Sequence, residues 1–147
     1  MAGHKKISIA MKTYFAIISL IVLSLTSCGK EDSSSIVGEW RLTKLTYWGI
    51  EEGSEEWSFF EDDYSNYGVT YTFLANGTLK IDAGNNPDWV NNTANYEFGY
   101  FPLGGSTDPE ALLVKIDGSK WTYSYDGTTM ILGKSYVDGA DYHFDRK

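Results

Sequence analysis

The residue with the clearest chemistry in this chain is Cys28. It is the sole cysteine, and it follows Leu25-Thr26-Ser27 at the end of an uncharged apolar run from Tyr14 to Leu25. Small residues directly ahead of a cysteine are the arrangement in which the thiol is alkylated with diacylglycerol and the chain is then cut before the modified residue. Lys5, Lys6 and Lys12 precede the apolar run, which completes the basic, apolar and small-residue order of an export leader. A helix of that length would rise about 18 Å, against about 30 Å of bilayer hydrocarbon, so the run is read as a signal and not as a membrane span. Residues 1-27 are therefore expected to be a lipoprotein signal peptide, with Met11 as workable a start as Met1. Cys28 is the expected lipidation site. One acyl chain holds a protein to a bilayer only marginally and two or three hold it stably, so the expected partner at this end is a membrane.

Other chemistries are weakly represented. Of the two histidines only His143 follows the leader, and no spacing singles out a serine and an aspartate to complete a triad with it. Glu51-Glu52, Glu55-Glu56 and Glu61-Asp62-Asp63 offer carboxylate pairs of the kind a glycosidase uses, but so does any solvated acidic loop. Asp82-Ala83-Gly84-Asn85-Asn86-Pro87-Asp88 sets oxygen ligands at alternate positions. Calcium tolerates that pattern, yet the bidentate glutamate and spacing of an EF-hand are missing, and turn-forming residues explain it. Asn76-Gly77-Thr78 and Asn91-Asn92-Thr93 fit the glycosylation sequon and are read as turns. The expectation is a non-enzymatic protein with no catalytic set, no metal and no cofactor.

Composition narrows the partners. All 20 acidic residues lie after Cys28, together with nine of the 12 basic ones, so the mature chain carries a formal charge of −11. That argues against nucleic acid and against a second, electrostatic membrane anchor, because phosphate and anionic headgroups repel such a surface. No cysteine is left for a disulfide, so a hydrophobic core must supply the stability. A mature length of about 120 residues supports one domain. Residues 28-35, with the polar stretch Gly29-Lys30-Glu31-Asp32-Ser33-Ser34-Ser35, form a lipidated tether too short and charged to fold. Two readings of it stay open: a solvated linker, or an export tag like those that send some Gram-negative lipoproteins to the outer face of the outer membrane.

Something must position whatever residues act, and from Ile36 onward the apolar pattern has period two, the mark of strands with one buried face. Val69-Thr70-Tyr71-Thr72-Phe73 alternates most cleanly; Asn76-Gly77 turns the chain, and Leu79-Lys80-Ile81 follows. Ile36 to Tyr47, Asn95 to Phe101, Leu112 to Ile116, Trp121 to Tyr125, Thr129 to Leu132 and Ala140 to Phe144 bring the expected total to eight. Asp117-Gly118 and Asp126-Gly127 are hairpin turns of the kind that needs positive φ. The expectation is an all-β, antiparallel, up-and-down arrangement of eight strands closing into a barrel. The long stretch from Trp48 to Tyr67 is the exception. There Ser54 could cap a short helix with Glu55 and Glu56 in its first turn, and Trp57, Phe60 and Tyr64 would share one face. Such a helix would lie across a barrel mouth as a lid, or its aromatics would plug the end of the core.

Gly38-Glu39-Trp40 at the head of the first strand resembles the G-x-W signature of lipocalins. Tyr71-Thr72-Phe73-Leu74-Ala75-Asn76-Gly77-Thr78 and Trp121-Thr122-Tyr123-Ser124-Tyr125-Asp126-Gly127 look like the lipocalin-like domains of bacterial lipoproteins. The resemblance covers most of residues 36-147. It implies a barrel whose base is closed by Trp40, with Arg146 packed across the indole as a cation–π contact. It also implies a small apolar or amphipathic ligand, for which Trp57, Phe60, Tyr71, Tyr123 and Tyr125 are the candidate binding residues. The inward set Trp40, Tyr71, Phe73, Tyr96, Phe98, Trp121, Tyr123, Tyr125, Tyr142 and Phe144 is bulky enough to fill much of an eight-stranded interior. Buried phenols need partners, which a ligand could supply. A surface interaction protein is the alternative, binding a glycan or a partner protein through exposed aromatics such as Trp48, Trp57, Trp89 and Tyr100.

Overall fold

The computed structural model describes residues 36–147; the expected signal peptide 1-27, the expected lipidation site Cys28 and the expected tether 28-35 lie outside the described residues. The described chain is all-β. Its strands are β1 (Gly38–Ile50), β2 (Trp57–Asp63), β3 (Thr70–Phe73), β4 (Thr78–Asp82), β5 (Asn92–Pro102), β6 (Glu110–Ile116), β7 (Ser119–Tyr125), β8 (Thr129–Gly133) and β9 (Asp141–Arg146), with a single 3-10 turn at Ser135–Val137. All pairings are antiparallel, in the order β2-β1-β3-β4-β5-β6-β7-β8-β9, and β9 also pairs with β1. Eight strands therefore close a ring through β1 and β9, and β2 stands outside that circuit.

The 13-residue β1 serves three neighbours. Its first residues, Gly38 to Arg41, pair with β3; Lys44 to Ile50 pair with β2; and Trp40 to Thr46 pair with β9 on the opposite edge. Between Leu42 and Lys44 the β9 register slips by one residue, because Leu42 faces Phe144 and Lys44 faces His143. Thr43 is thus the extra residue of a β-bulge, and a one-residue slip exchanges the faces of everything beyond it. Before the bulge Trp40 and Leu42 are buried; after it the buried positions continue at Leu45.

The core gathers the inward side chains of nearly every ring strand. Trp40, Leu42, Phe73, Leu79, Val114, Met130 and Phe144 are fully buried in one cluster. Rings meet across it, with Tyr71 4.9 Å from Phe144, Phe73 5.0 Å from Tyr96 and Trp40 5.6 Å from Tyr125. Edge-on and tilted geometries like these place ring hydrogens against π faces, which adds to the burial gain. Of the expected hairpin turns Asp117-Gly118 forms, whereas between β7 and β8 only Gly127 (φ 100°) is left-handed and the Asp126 amide donates to Thr129 O at 3.3 Å, so that turn falls at Gly127-Thr128 and not at Asp126-Gly127. Asp117 (φ 46°) and Gly118 (φ 81°) both take the left-handed conformation that a two-residue hairpin requires. At Leu74 to Gly77, Asn76 Oδ1 accepts the Thr78 amide at 3.1 Å.

At the head of β1, Trp40 donates its indole N–H to Ile36 O at 2.8 Å. The Arg146 guanidinium lies 5.2 Å from the Trp40 ring centre and donates to Val37 O at 3.1 Å. Gly38, at φ 143°, passes so close beneath that a Cβ there would sit 3.3 Å from Arg146 Nη2. Gly38, Trp40 and Arg146 thus occupy one locus.

The expectation for Trp48 to Tyr67 needs correction. The segment is not a helix: Trp57–Asp63 is an extended strand, and β1 runs on to Ile50 to pair with it. Ser54 caps nothing helical; its Oγ accepts the Glu56 amide at 3.0 Å inside the turn. The count rises from the expected eight strands to nine. Physically, the short acidic segment had too few residues to stabilise an isolated helix. Its aromatics instead found cross-strand partners, Tyr47 stacking on Phe60 at 5.5 Å and Trp48 meeting Phe59 edge-on at 5.6 Å.

Candidate functional site

Beyond Thr46 the β1 strand has left β9, and from Tyr47 to Ile50 it pairs with β2 alone. The result is a two-stranded arm projecting from the ring. Because alternation puts neighbours on opposite faces, Trp48 and Ile50 share one face with Phe59 and Trp57, directly opposite them in register. All four are solvent-exposed: Trp48 62%, Ile50 52%, Trp57 63% and Phe59 56%. The reverse face carries Tyr47, Phe60 and Asp62, and Gly49 leaves room for the Phe60 ring. Scattered exposed apolar residues are ordinary, but register-matched large ones forming a continuous patch mark an interaction site. Val90, Tyr100 and Val137 are also exposed, but none of them faces another member of that set across a strand pair.

Acidic side chains surround the patch. Glu51, Glu52, Glu55 and Glu56 form the exposed tip, while Glu61, Asp62 and Asp63 follow at the other end of β2. Lys44 offsets one of them through a 2.8 Å ion pair with Glu61. An apolar centre with a charged rim is the usual anatomy of a protein contact.

A second aromatic group lies where β9 is farthest from Arg146. Trp89 touches Tyr64 at 5.8 Å, Tyr71 at 6.2 Å and Tyr142 at 6.1 Å, and Trp121 meets Tyr142 edge-on at 5.1 Å. Burial and then the neighbouring Tyr142 push the Tyr71 phenol up, and burial and then Tyr64 do the same to Tyr142. These phenols are neutral donors at physiological pH. The Trp121 indole N–H is buried without a hydrogen-bond partner.

The sequence-predicted binding residues are therefore dispersed. Trp57 is exposed on the outer face of the arm and Phe60 is on its reverse, since a spacing of three separates faces in a strand where it would join them in a helix. Tyr71 is in the core. Tyr123 packs against Phe98 at 4.8 Å, and the Tyr125 hydroxyl donates to Gly127 O at 2.7 Å within its own turn. Of the aromatics put forward for a surface site, Trp48 and Trp57 come together, Trp89 is half-buried in the second group, and Tyr100 stands alone on β5. Ile50 and Phe59 were missed. Their signal was present as the two-residue spacings Trp48/Ile50 and Trp57/Phe59.

Residues with catalytic or metal-binding potential are engaged structurally. His143 Nε2 lies 3.0 Å from Thr46 Oγ1, and burial, then Lys44, lower its pKa. Asp82 Oδ1 accepts the Gly84 amide at 2.9 Å, and Asn86 Oδ1 accepts the Asp88 amide at 2.9 Å, so the calcium-like loop uses its oxygens as turn caps. Among the described residues no three His, Cys, Asp or Glu side chains converge as metal ligands. An open concavity of about 590 Å³ on β3, β4 and the start of β5 is lined by Thr72, Lys80, Ile81, Asp82, Asn91, Asn92 and Thr93. Comparison with protein families, curated proteins and solved structures finds no match.

Proposed function

We propose that this chain is a lipid-anchored envelope protein, held by Cys28 to the outer membrane, whose ring is a lipocalin-like scaffold and whose β1–β2 arm binds a partner at the cell surface without catalysis. The observation that carries this reading is the register-matched exposure of Trp48, Ile50, Phe59 and Trp57. A ring filled by its own aromatics supports a scaffold in preference to a carrier, because residues such as Trp40, Phe73 and Phe144 leave the interior to side chains. The lipocalin likeness is supported by Trp40, Gly38 and Arg146 meeting at one locus. The arm is not a second membrane anchor: its acidic tip would be repelled by anionic headgroups.

The test is photo-crosslinking in intact cells, with a photoreactive residue at Phe59 and, as control, at Thr93 on β5, away from the arm. A discrete adduct at Phe59, absent at Thr93 and abolished by Trp48→Ser, is the expected result. Equal labelling at both positions removes the reading. The anchor is checked separately by metabolic fatty-acid labelling, which Cys28→Ala should abolish, since no other cysteine can take the lipid.

One observation favours a second reading. The unpartnered Trp121 N–H beside Tyr142 would reward a hydrogen-bond acceptor, as a small amphipathic ligand among Tyr64, Tyr71, Trp89 and Tyr142 would provide. Mass spectrometry of small molecules retained on the purified protein, compared with Trp121→Phe, tests it; no compound specific to the unsubstituted chain ends that reading.

A further inference from the structure

The arm exposes backbone as well as side chains. The Tyr64 amide donates to Thr43 O at 2.8 Å, which sets the phase of the β1–β2 ladder. Antiparallel pairs alternate between those that exchange hydrogen bonds and those that do not. With Tyr64 opposite Thr43 as an exchanging pair, Asp62, Phe60 and Ser58 direct their backbone groups to β1, and Glu61, Phe59 and Trp57 direct theirs away. β2 ends the strand order, so no strand among the described residues takes up those outward groups. The same residues, Trp57 and Phe59, present rings of the exposed patch. Edges of this length are normally blunted by charged side chains, proline or a bulge; β2 has no lysine and no proline, and its charges, Glu61, Asp62 and Asp63, are all acidic, so they repel another acidic edge but not a basic one.

We propose that β2 is a docking edge for an extended segment of a partner protein, which adds antiparallel to it as a further strand with basic residues beside Asp63, Asp62 and Glu61 and apolar residues beside Phe59 and Trp57. This rests on the arm being the interaction element and names what it binds. Main-chain hydrogen bonds provide the affinity in such additions, and alternate side chains provide the selectivity. Charge decides the occupant. A second copy would bring another set of acidic residues to an arm that already carries seven carboxylates, and like charges there disfavour pairing. A basic segment meets no such penalty. A glycan could lie on the indoles but offers no row of N–H and C=O groups at the two-residue repeat of about 6.8 Å that the edge presents.

The probe is a fluorescein-labelled heptapeptide, Lys-Arg-Lys-Val-Tyr-Thr-Val, titrated by anisotropy into the full lipidated chain in non-ionic detergent. Its comparison peptide is N-methylated at the third and fifth residues, whose N–H groups would face β2. Saturable binding is expected, at least tenfold weaker for the methylated peptide and several-fold weaker in half-molar salt. Glu61→Pro, which removes an outward N–H on an edge where proline is tolerated, should weaken binding more than Glu61→Gln, which removes only the charge. No binding of the unmethylated peptide overturns the proposal. Equal binding of both peptides, lost in Trp57→Ser, also overturns strand addition while leaving the aromatic patch as the interaction surface. Binding sensitive to methylation but indifferent to Trp57→Ser and Trp48→Ser upholds the edge and overturns the aromatic reading. A dimer in sedimentation that excludes the peptide overturns the proposal in favour of a second copy.

Discussion

Trp40 and Trp48 lie on one strand eight residues apart, the first fully buried and the second 62% exposed. The ring and the arm are built from the same kinds of residue, and what separates them is the number of neighbours each strand has. In the ring every strand is paired on both edges and its inner face meets other strands across the interior, so aromatics there lose most of their water. On the arm two strands have only each other. A two-stranded ribbon cannot enclose its own side chains, so Trp48 and Trp57 keep theirs. The contrast teaches that exposure here follows from strand count and from the face a residue occupies, and not from residue type.

The largest break in that symmetry should come from truncating the two tryptophans in turn. Trp40→Ala should cost about 3–5 kcal/mol through lost packing and a residual cavity, whereas Trp48→Ala, losing mainly its contact with Phe59, should cost less than about 1 kcal/mol. Urea unfolding of both variants checks this; equal losses would mean the arm is part of the core.

A smaller effect is expected at Arg146, which sharpens the ring side of the comparison. Arg146→Ala removes the cation–π contact with Trp40 and the bond to Val37, and should lower stability by about 1 kcal/mol. Arg146→Lys, measured in the same denaturation series, should recover only part, because a lysine lacks the flat guanidinium that lies over the indole.

Where ring and arm join, His143 meets Thr46, and pH probes that junction. Its pKa is lowered in the folded chain by burial and then Lys44, so the unfolded chain takes up the proton first as pH falls below about 6.5. Its contribution is intact above that pH and is lost as pH falls toward the lower folded value. Thermal midpoints between pH 7.5 and 5.5 should fall for the unsubstituted chain and fall less for His143→Gln.

The smallest effect is expected at the turn between β7 and β8. Asp126 is held down to about 2 by the backbone amides of Thr129 and Thr128 and the Thr128 hydroxyl. Its stabilising effect is present above the ordinary carboxylate range and disappears as pH drops from about 4 to 2. Asp126→Asn should narrow the stability difference between pH 5 and pH 2 in acid titration followed by circular dichroism, with no effect on the exposure of the arm.

Much of the ring was legible in the chain. Val69 to Phe73 alternates without interruption, Asn76-Gly77 and Asp117-Gly118 are turns that few other dipeptides would make, and all eight expected strands form within a few residues of where periodicity put them. The ninth was not legible as a strand, because Trp57, Phe60 and Tyr64 satisfy a helical spacing as well as Trp57 and Phe59 satisfy an extended one. Seven residues are too few for periodicity to choose. The arm as a site was half visible: Trp48 and Trp57 stood out as bulky residues in an acidic stretch, while Ile50 and Phe59 acquire meaning only once register sets them opposite those two.

The sequence by itself determined the local alternation, the positions of the tight turns, the acidic balance and the identity of the aromatics, since each depends on residues within a few positions of one another. Only the tertiary structure decided that β9 would return to β1 and that Thr43 would bulge against it. It also decided that every side chain after the bulge would change face. Those outcomes depend on pairings between residues about a hundred positions apart, and their energies are set by neighbours the local sequence does not contain. Without the bulge, Trp48 would share the inner face with Trp40 and Leu42; with it, Trp48 stands in water beside Phe59.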